Sequence, residues 1–291
     1  MAAGKEIRTK IKSVQNTQKI TRAMQMVATS KMRKTQERMR QARPYAEKVR
    51  EVMANLAQIN PSARVSSPYL RVSGQFKRVG LILITADKGL CGGLNTNAIK
   101  LFSEKLREFG QQNIEVVTCT LGQKGLIAAN RLKSNVVSSA VSLGDIPRME
   151  KIIGPLTGVF RDFYEAKLDA VYVVYSKFVN TMKQLPLCEQ ILPLTDRDLK
   201  LDKKLPWDYL YEPSAEEVLD QLIRRYIESV IYQCLAENMA SEQASRMIAM
   251  RAATDNAGDA IHQLSLAYNK SRQAAITKEL AEICAGAAAI S

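Results

Sequence analysis

Apolar and small residues recur along the first sixty positions at alternating intervals of four and three. Ile7, Ile11, Val14, Gln18, Thr21, Gln25, Ala28, Met32, Thr35, Met39, Ala42, Ala46, Val49, Met53 and Leu56 form a seam whose spacing never slips. A repeat averaging 3.5 residues keeps one stripe of a helix facing a neighbouring helix, so the pattern predicts a single long coiled-coil helix over residues 5–59. Gln18, Thr21, Gln25 and Thr35 are polar seam positions, which lower stability and help fix register. Pro44 lies inside the pattern and predicts a kink or the loss of one helical hydrogen bond.

The period then changes. Residues 60–77 are rich in Pro, Ser and Gly and read as a linker. Arg78–Ala86 (RVGLILITA) has the continuous apolar pattern of a buried strand. Ile114–Thr120, Asn135–Val141 and Asp169–Ser176 are further strands, and Gln184–Leu192 is a candidate edge strand. Thr96–Phe109, Lys124–Leu132 and Ile146–Ala166 have helical spacing between them. Alternation of strand and helix argues for a parallel sheet covered by helices.

Helix returns after Glu212. Pro213 and Ser214 open it and Glu216 and Glu217 occupy its first turn, where acids favour the helix dipole. Apolar residues follow at 219, 222, 223, 226, 227, 230, 231, 234 and 235. A second seam runs through Ala253, Ala257, Ala260, Leu264, Ala267, Ser271, Ala274, Lys278, Ala281, Ala285 and Ala288. Its small side chains allow two helix axes to approach closely. The expected architecture is therefore α/β: residues 1–59 and 212–291 as a long antiparallel coiled coil, with a Rossmann-like α/β domain inserted at 78–200. At 1.5 Å per residue the two helices would extend roughly 75 and roughly 110 Å, the second overhanging the first.

Composition narrows the function. Of 291 residues 46% are hydrophobic and 24% charged, as in a folded globular protein, and the net charge of +13 asks for an anionic partner. The first residues alternate charge with single apolar positions, a pattern that predicts no export signal. The apolar runs Val79–Ala86 and Val171–Tyr175 are far too short to span a bilayer, so any membrane association is peripheral. Cys91, Cys119, Cys188, Cys234 and Cys284 form no CxxC pair and lie near no histidine cluster, and read as reduced thiols. His262 is the only histidine, which leaves no metal site or catalytic triad to build and reads as a surface residue. DKGLCGGLN (87–95) follows a strand and precedes a helix as a phosphate loop would. It matches neither GxxxxGK[ST] nor GxGxxG, and reads instead as a tight turn in which Gly92–Gly93 supply backbone freedom and Cys91 packs.

The basic charge is concentrated. Lys5, Arg8, Lys10, Lys12, Lys19, Arg22, Lys31, Arg33, Lys34, Arg38, Arg40 and Arg43 stand against only Glu6 and Glu37. Such a face is either solvated or matched to an acidic partner. By pattern alone the chain lies between a coiled-coil scaffold and a basic nucleic-acid binder; base-stacking aromatics interleaved with the basic residues are missing, which weighs against the second. A small α/β enzyme is a further alternative, opposed by the lack of a nucleophile–base set.

QNTQKITRAMQMVATSKM (15–32), DKGLCGGLN (87–95), ASEQASRMIAMRAATDNA (240–257) and YNKSRQAAITKELAEICAGAAA (268–289) resemble segments of the gamma subunits of F-type ATP synthases, in order and across the whole chain. The wording and length resemble proteobacterial members. The resemblance implies a non-catalytic central shaft without cofactor or metal, one copy per complex. Its implied partners are the alpha, beta and epsilon subunits and the membrane c-ring, with no nucleic acid and no span of its own, at the cytoplasmic face of the bacterial inner membrane. It implies contact with the beta subunits at Arg8, Lys10, Arg22, Met24, Lys31, Arg246, Arg272, Gln273 and Thr277. From helical pattern alone Met24 is a seam residue, and Arg246, Arg272, Gln273 and Thr277 are exposed. Tyr209, Tyr211 and Glu212, in the aromatic WDYLYE segment, are implied contacts with the c-ring or epsilon; by pattern they equally anchor the start of the last helix. No inserted block carries a regulatory cysteine pair of the kind found in plant relatives.

Overall fold

The computed structural model describes residues 2–60, 67–71, 74–145, 149–195, 199, 212 and 214–290, with the backbone course alone at 2–4, 42, 43, 46 and 286–290. The elements in order are α1 (Ala2–Ile59), a 3-10 turn (Pro68–Leu70), β1 (Arg78–Ile84), α2 (Leu94–Gln111), β2 (Glu115–Leu121), α3 (Gln123–Arg131), β3 (Asn135–Ala140), α4 (Met149–Tyr164), β4 (Ala170–Phe178), β5 (Gln184–Leu192) and α5 (Ala215–Ile290). The chain divides into two compact units, residues 30–245 and the two ends 1–29 with 246–291.

In the larger unit the strand order is β3-β2-β1-β4-β5. β1 pairs in parallel with β2 and β4, with Ile82 opposite Cys119 on one side and Val173 on the other, and β2 pairs in parallel with β3. The sheet is not wholly parallel as expected, because β5 runs antiparallel to β4. A short turn between them, closed by Asn180 and Lys183, is too brief for a crossover and forces reversal.

β1 is buried on both faces, which explains its unbroken apolar run. Leu81 and Leu83 pack with Phe102 of α2 and Ala129 of α3. Ile82 and Ile84 face Ile152, Leu156, Val159 and Phe163 of α4, in one cluster with Met53 and Leu56 of α1 and Leu219, Ile223, Ile227 and Leu235 of α5. Each fully buried Phe or Leu contributes about 1.5–3 kcal/mol, so these two layers carry the domain. Gly122 has φ +109° and a Cβ there would lie 2.2 Å from the Thr85 carbonyl oxygen, so only glycine lets β2 turn beside the end of β1.

One expectation changes. The segment read as a linker contains Tyr69, buried in the 3-10 turn against Phe163 and Tyr164, with Ser67 Oγ 2.6 Å from Asp220 of α5. α1 continues helical through Pro44. The proline has no N–H to give, so one helical hydrogen bond is missing there, as expected.

In the smaller unit α1 and α5 pair in opposite directions. Gln18 Nε2 reaches the Thr254 carbonyl at 3.3 Å, Thr21 Oγ1 is 2.8 Å from Thr254 Oγ1, and Gly258 lies against Gln18. The seam positions Ile7, Ile11, Val14 and Gln18 are half-buried and Thr21 and Ala28 buried, while the positions between Ile7 and Gln18 are exposed. The second seam holds at Ala253, Ala257, Ala260, Leu264 and Ser271, but Ala267, Ala274, Lys278, Ala281 and Ala285 are exposed, and the Ala288 side chain lies outside the described residues. Equal rise along two opposed helices places Ala2 roughly level with residue 274, beyond which the described part of α1 offers no facing side chains.

Candidate functional site

In an open α/β sheet the place for a ligand is outside the carboxyl ends of the strands, where the order reverses. Here that reversal lies between β1 and β4, since the chain proceeds from β1 to β2 and β3 on one side and crosses to β4 on the other. The crevice is filled by α5. Asn238 Oδ1 accepts the Ser176 N–H of β4 at 3.1 Å, Ser241 Oγ donates to the Ser176 carbonyl at 2.9 Å, and Ser245 Oγ donates to the Cys91 carbonyl at 2.6 Å. Asn238 and Ser241 are buried, as are Ala236, Glu237, Ala240, Gln243 and Ala244. A largely buried helix places its polar side chains where partners exist, and Asn238 Oδ1, Ser241 and Ser245 find theirs on the strand ends and the loop after β1.

DKGLCGGLN is the mount for this contact. Gly92 has φ +57° and sits 3.3 Å, at its missing Cβ, from Ser245 Oγ. Asp87 accepts from the backbone N–H groups of Gln123, Ser142 and Leu143, tying the ends of β2 and β3 to that of β1. Asn95 Oδ1 accepts from Ala86 N–H at 3.0 Å, and its Nδ2 donates to Cys91 Sγ at 3.2 Å. The loop's polar groups bind protein, in keeping with its reading as a packed turn.

The sequence did not point to Asn238, Ser241 or Ser245. The available signal was the switch at 236–245 (AENMASEQAS) from an apolar stripe to a run mainly of Ala, Ser, Gln and Asn without a basic residue.

The residues expected to meet partners fall in different settings. Arg8, Arg22, Arg272, Gln273 and Thr277 are exposed, and Met24 is half-buried beside the seam. Lys10 pairs with Glu6 at 2.7 Å, and that hydrogen bond and charge hold the Glu6 carboxyl below its ordinary range. Arg22 borders an open polar groove with Gln18 and Gln25, facing Asp255 and Asp259 of α5. Lys31, in the larger unit, is committed within the chain: its Nζ lies 2.8 Å from Asp145, whose carbonyl also accepts from Arg38. Arg246 corrects the pattern-based expectation, being buried rather than exposed. It follows the stretch of α5 that is covered on every side, and its aliphatic stem suits such a place. Glu212 is exposed; Tyr209 and Tyr211 lie outside the described residues. Ile276, Leu280 and Ile283 add an exposed apolar stripe to α5 beside Arg272 and Thr277, at 49%, 57% and 67% exposure.

Among the described residues no three His, Cys, Asp or Glu side chains gather as a metal site, and His262 is exposed. All five cysteines are free. Burial pushes the Cys119 and Cys188 thiols up to about 11. These two lie on β2 and β5, three strand spacings or about 14 Å apart, and on opposite faces of the sheet, so they cannot form a disulfide. No helix among the described residues is long and apolar enough to cross a membrane.

The family model described as ATP synthase matches residues 3–290. The chain is 66% identical over 290 residues to an ATP synthase gamma chain of Chromobacterium violaceum and 61% identical to that of Laribacter hongkongensis, in each case covering all of both chains. Among solved structures it resembles a chain of the central stalk and c-ring of Tetrahymena thermophila mitochondrial ATP synthase, at 26% identity and TM-score 0.61, covering 80% of this chain and 99% of that one. A chain from the Euglena gracilis mitochondrial enzyme shares the fold at TM-score 0.71 and 19% identity, covering 99% and 95%.

Proposed function

The chain belongs to the ATP synthase gamma family and serves as the central rotor shaft of an F-type ATP synthase, and from that premise we propose how its surfaces do the work. The observation that carries the proposal is the filled crevice. A sheet whose ligand position is occupied by its own helix is a mount for that helix, and Asn238, Ser241 and Ser245 resist its turning relative to the sheet. Torque entering through the α/β domain therefore passes into α5, which is unbroken from Ala215 to Ile290. The chain itself performs no catalysis in this reading.

The stator contact is made by the exposed residues of the smaller unit. Arg8, Lys10 and Arg22 on α1, with Met24 beside them, and Arg272, Gln273 and Thr277 on α5 meet the beta subunits. Exposed ion pairs contribute about 0–1 kcal/mol each, so a row of them can be exchanged as the shaft turns. One deeply buried pair would act as a brake. The apolar stripe Ile276, Leu280 and Ile283 is covered by the surrounding ring of alpha and beta subunits. Lys31, paired with Asp145, and Arg246, buried within the chain, are less available to that contact than the exposed residues. Glu212, with Tyr209 and Tyr211, faces epsilon and the c-ring at the cytoplasmic side of the inner membrane.

Mechanism follows from asymmetry. α1 and α5 present different charges and apolar residues, so each beta subunit meets a different side of the shaft at any angle. A partner shifts a conformational equilibrium only through differential interaction with its states. Rotation then cycles the nucleotide sites through their conformations. Each charge crossing 100 mV supplies about 2.3 kcal/mol, so several crossings are pooled for each ATP.

The test is simultaneous charge reversal at Arg8, Lys10 and Arg22 in the assembled enzyme. ATP-driven proton pumping by inverted membrane vesicles should fall while assembly persists. Unchanged pumping would remove this face from the stator contact. The nucleic-acid reading has no support among the relatives.

A further inference from the structure

One stripe of α4 borders a cavity outside the surfaces proposed above for the stator contact and the sheet crevice. Ile152, Leu156, Phe160 and Tyr164 follow at intervals of four and stack along the helix. Together with Tyr69, whose ring centroid is 5.5 Å from that of Tyr164, they line a cavity of about 290 Å³. Ile152 and Leu156 form its buried wall. The exposed Arg161 of α4 and Arg224 of α5 stand at its open side, Arg224 hydrogen-bonded to the Tyr69 side chain. The acid of the lining, Glu228, is held at 3.1 Å by Arg225. Among the described residues neither Arg161 nor Arg224 has a carboxylate within ion-pairing distance, with Glu165 the acid acting on Arg161 and Glu228 on Arg224.

We propose that this cavity binds an amphipathic monoanion, a medium-chain fatty carboxylate, with its tail along the α4 stripe and its head between Arg161 and Arg224. The inference does not depend on the rotor assignment. An apolar wall strands the hydroxyls of a sugar or nucleotide without partners, which is costly. Two guanidinium groups repel an amine head and offer a planar fork that fits a carboxylate. The volume is near the lower limit for ligand pockets and suits one short chain, whereas a two-chain phospholipid exceeds it.

The test is calorimetric titration of the full-length chain with three probes sharing a ten-carbon tail: sodium decanoate, decanol and decyltrimethylammonium. Decanoate should bind saturably at one site, decanol more weakly and the ammonium compound not at all. R161Q/R224Q should weaken decanoate binding by about tenfold or more, the loss expected for charge-assisted hydrogen bonds. Ile153→Trp, which fills the cavity from α4, should abolish it, with circular dichroism verifying that both variants remain folded. Equal binding of the three probes would reduce the site to unspecific apolar adsorption and overturn the proposal. So would the lack of saturable decanoate binding, or undiminished binding in either folded variant.

Discussion

Ser245 Oγ donates a 2.6 Å hydrogen bond to the Cys91 carbonyl, fastening the long C-terminal helix to the loop that follows the central strand. In a ligand-binding α/β sheet such a loop offers its backbone to a phosphate or a cofactor. Here a helix hydroxyl takes that position, and two further side chains repeat the arrangement at Ser176.

Those three bonds should differ in worth. Asn238→Leu leaves the buried Ser176 N–H without its acceptor, and should destabilise the protein by about 1–3 kcal/mol. Ser241→Ala and Ser245→Ala remove donors from carbonyl groups, and should cost about 0.5–1.5 kcal/mol each. Denaturant unfolding of the purified variants measures all three, and an Asn238→Leu protein as stable as the parent would show that the crevice contact is not structural.

Gly122 should be intolerant of any side chain. With φ +109° and a Cβ position 2.2 Å from the Thr85 carbonyl oxygen, Gly122→Ala combines backbone strain with a clash against main chain. A loss of more than about 3 kcal/mol is expected, read as a large drop in soluble yield or unfolding midpoint.

Gly258 should behave differently although it too faces a neighbour. Its Cβ would meet the Nε2 end of Gln18 at 3.2 Å, the far end of a flexible side chain. Gly258→Ala should therefore be neutral or gain up to about 1 kcal/mol of helix propensity. Gly258→Leu should hold the two helices apart and reduce incorporation into the complex, measured by co-purification with its partner subunits.

The thiols should divide by burial. Cys91, Cys119 and Cys234 are buried and Cys284 exposed, so a maleimide at neutral pH should label Cys284 first. Cys119 and Cys188 are raised from 9.0 to about 11 by burial, so the folded protein holds these protons more tightly than the unfolded chain. The stability they contribute is complete below pH 9 and is lost as pH rises toward 11. A C119A/C188A variant should lose less stability across that window than the parent, as followed by denaturant midpoints.

The Lys31–Asp145 pair should matter little to folding. Its side chains are 39% and 62% exposed, and pairs of that kind contribute about 0–1 kcal/mol. Asp145→Asn should leave the unfolding midpoint nearly unchanged, and a double-mutant cycle with Lys31→Gln isolates the interaction.

Secondary structure was legible wherever a local period was strong. Gln184–Leu192 has the bounds expected of it, and the first and fourth strands differ from expectation only at their ends. The stripe from Leu219 to Leu235 is buried at most of its positions. The direction of β5 was not legible, because alternation of apolar residues is the same for either direction of pairing. Arg246 was misplaced for a related reason: helical spacing describes faces, and α5 near that residue is covered on more than one.

The sequence by itself determined the first helical seam and the beginning of the second, the strand–helix alternation, the basic excess on the first helix and the family that its motifs resemble. Each of these is written in residues a few positions apart, where backbone geometry alone sets which side chains share a face. Only the tertiary structure decided that α5 fills the crevice of the sheet, that Lys31 is committed to Asp145, and that the α4 stripe opens onto a cavity. The bonds that seal the crevice join residues 62, 65 and 154 positions apart. No local period encodes them, because they exist only after the sheet has formed and brought distant segments within hydrogen-bonding reach.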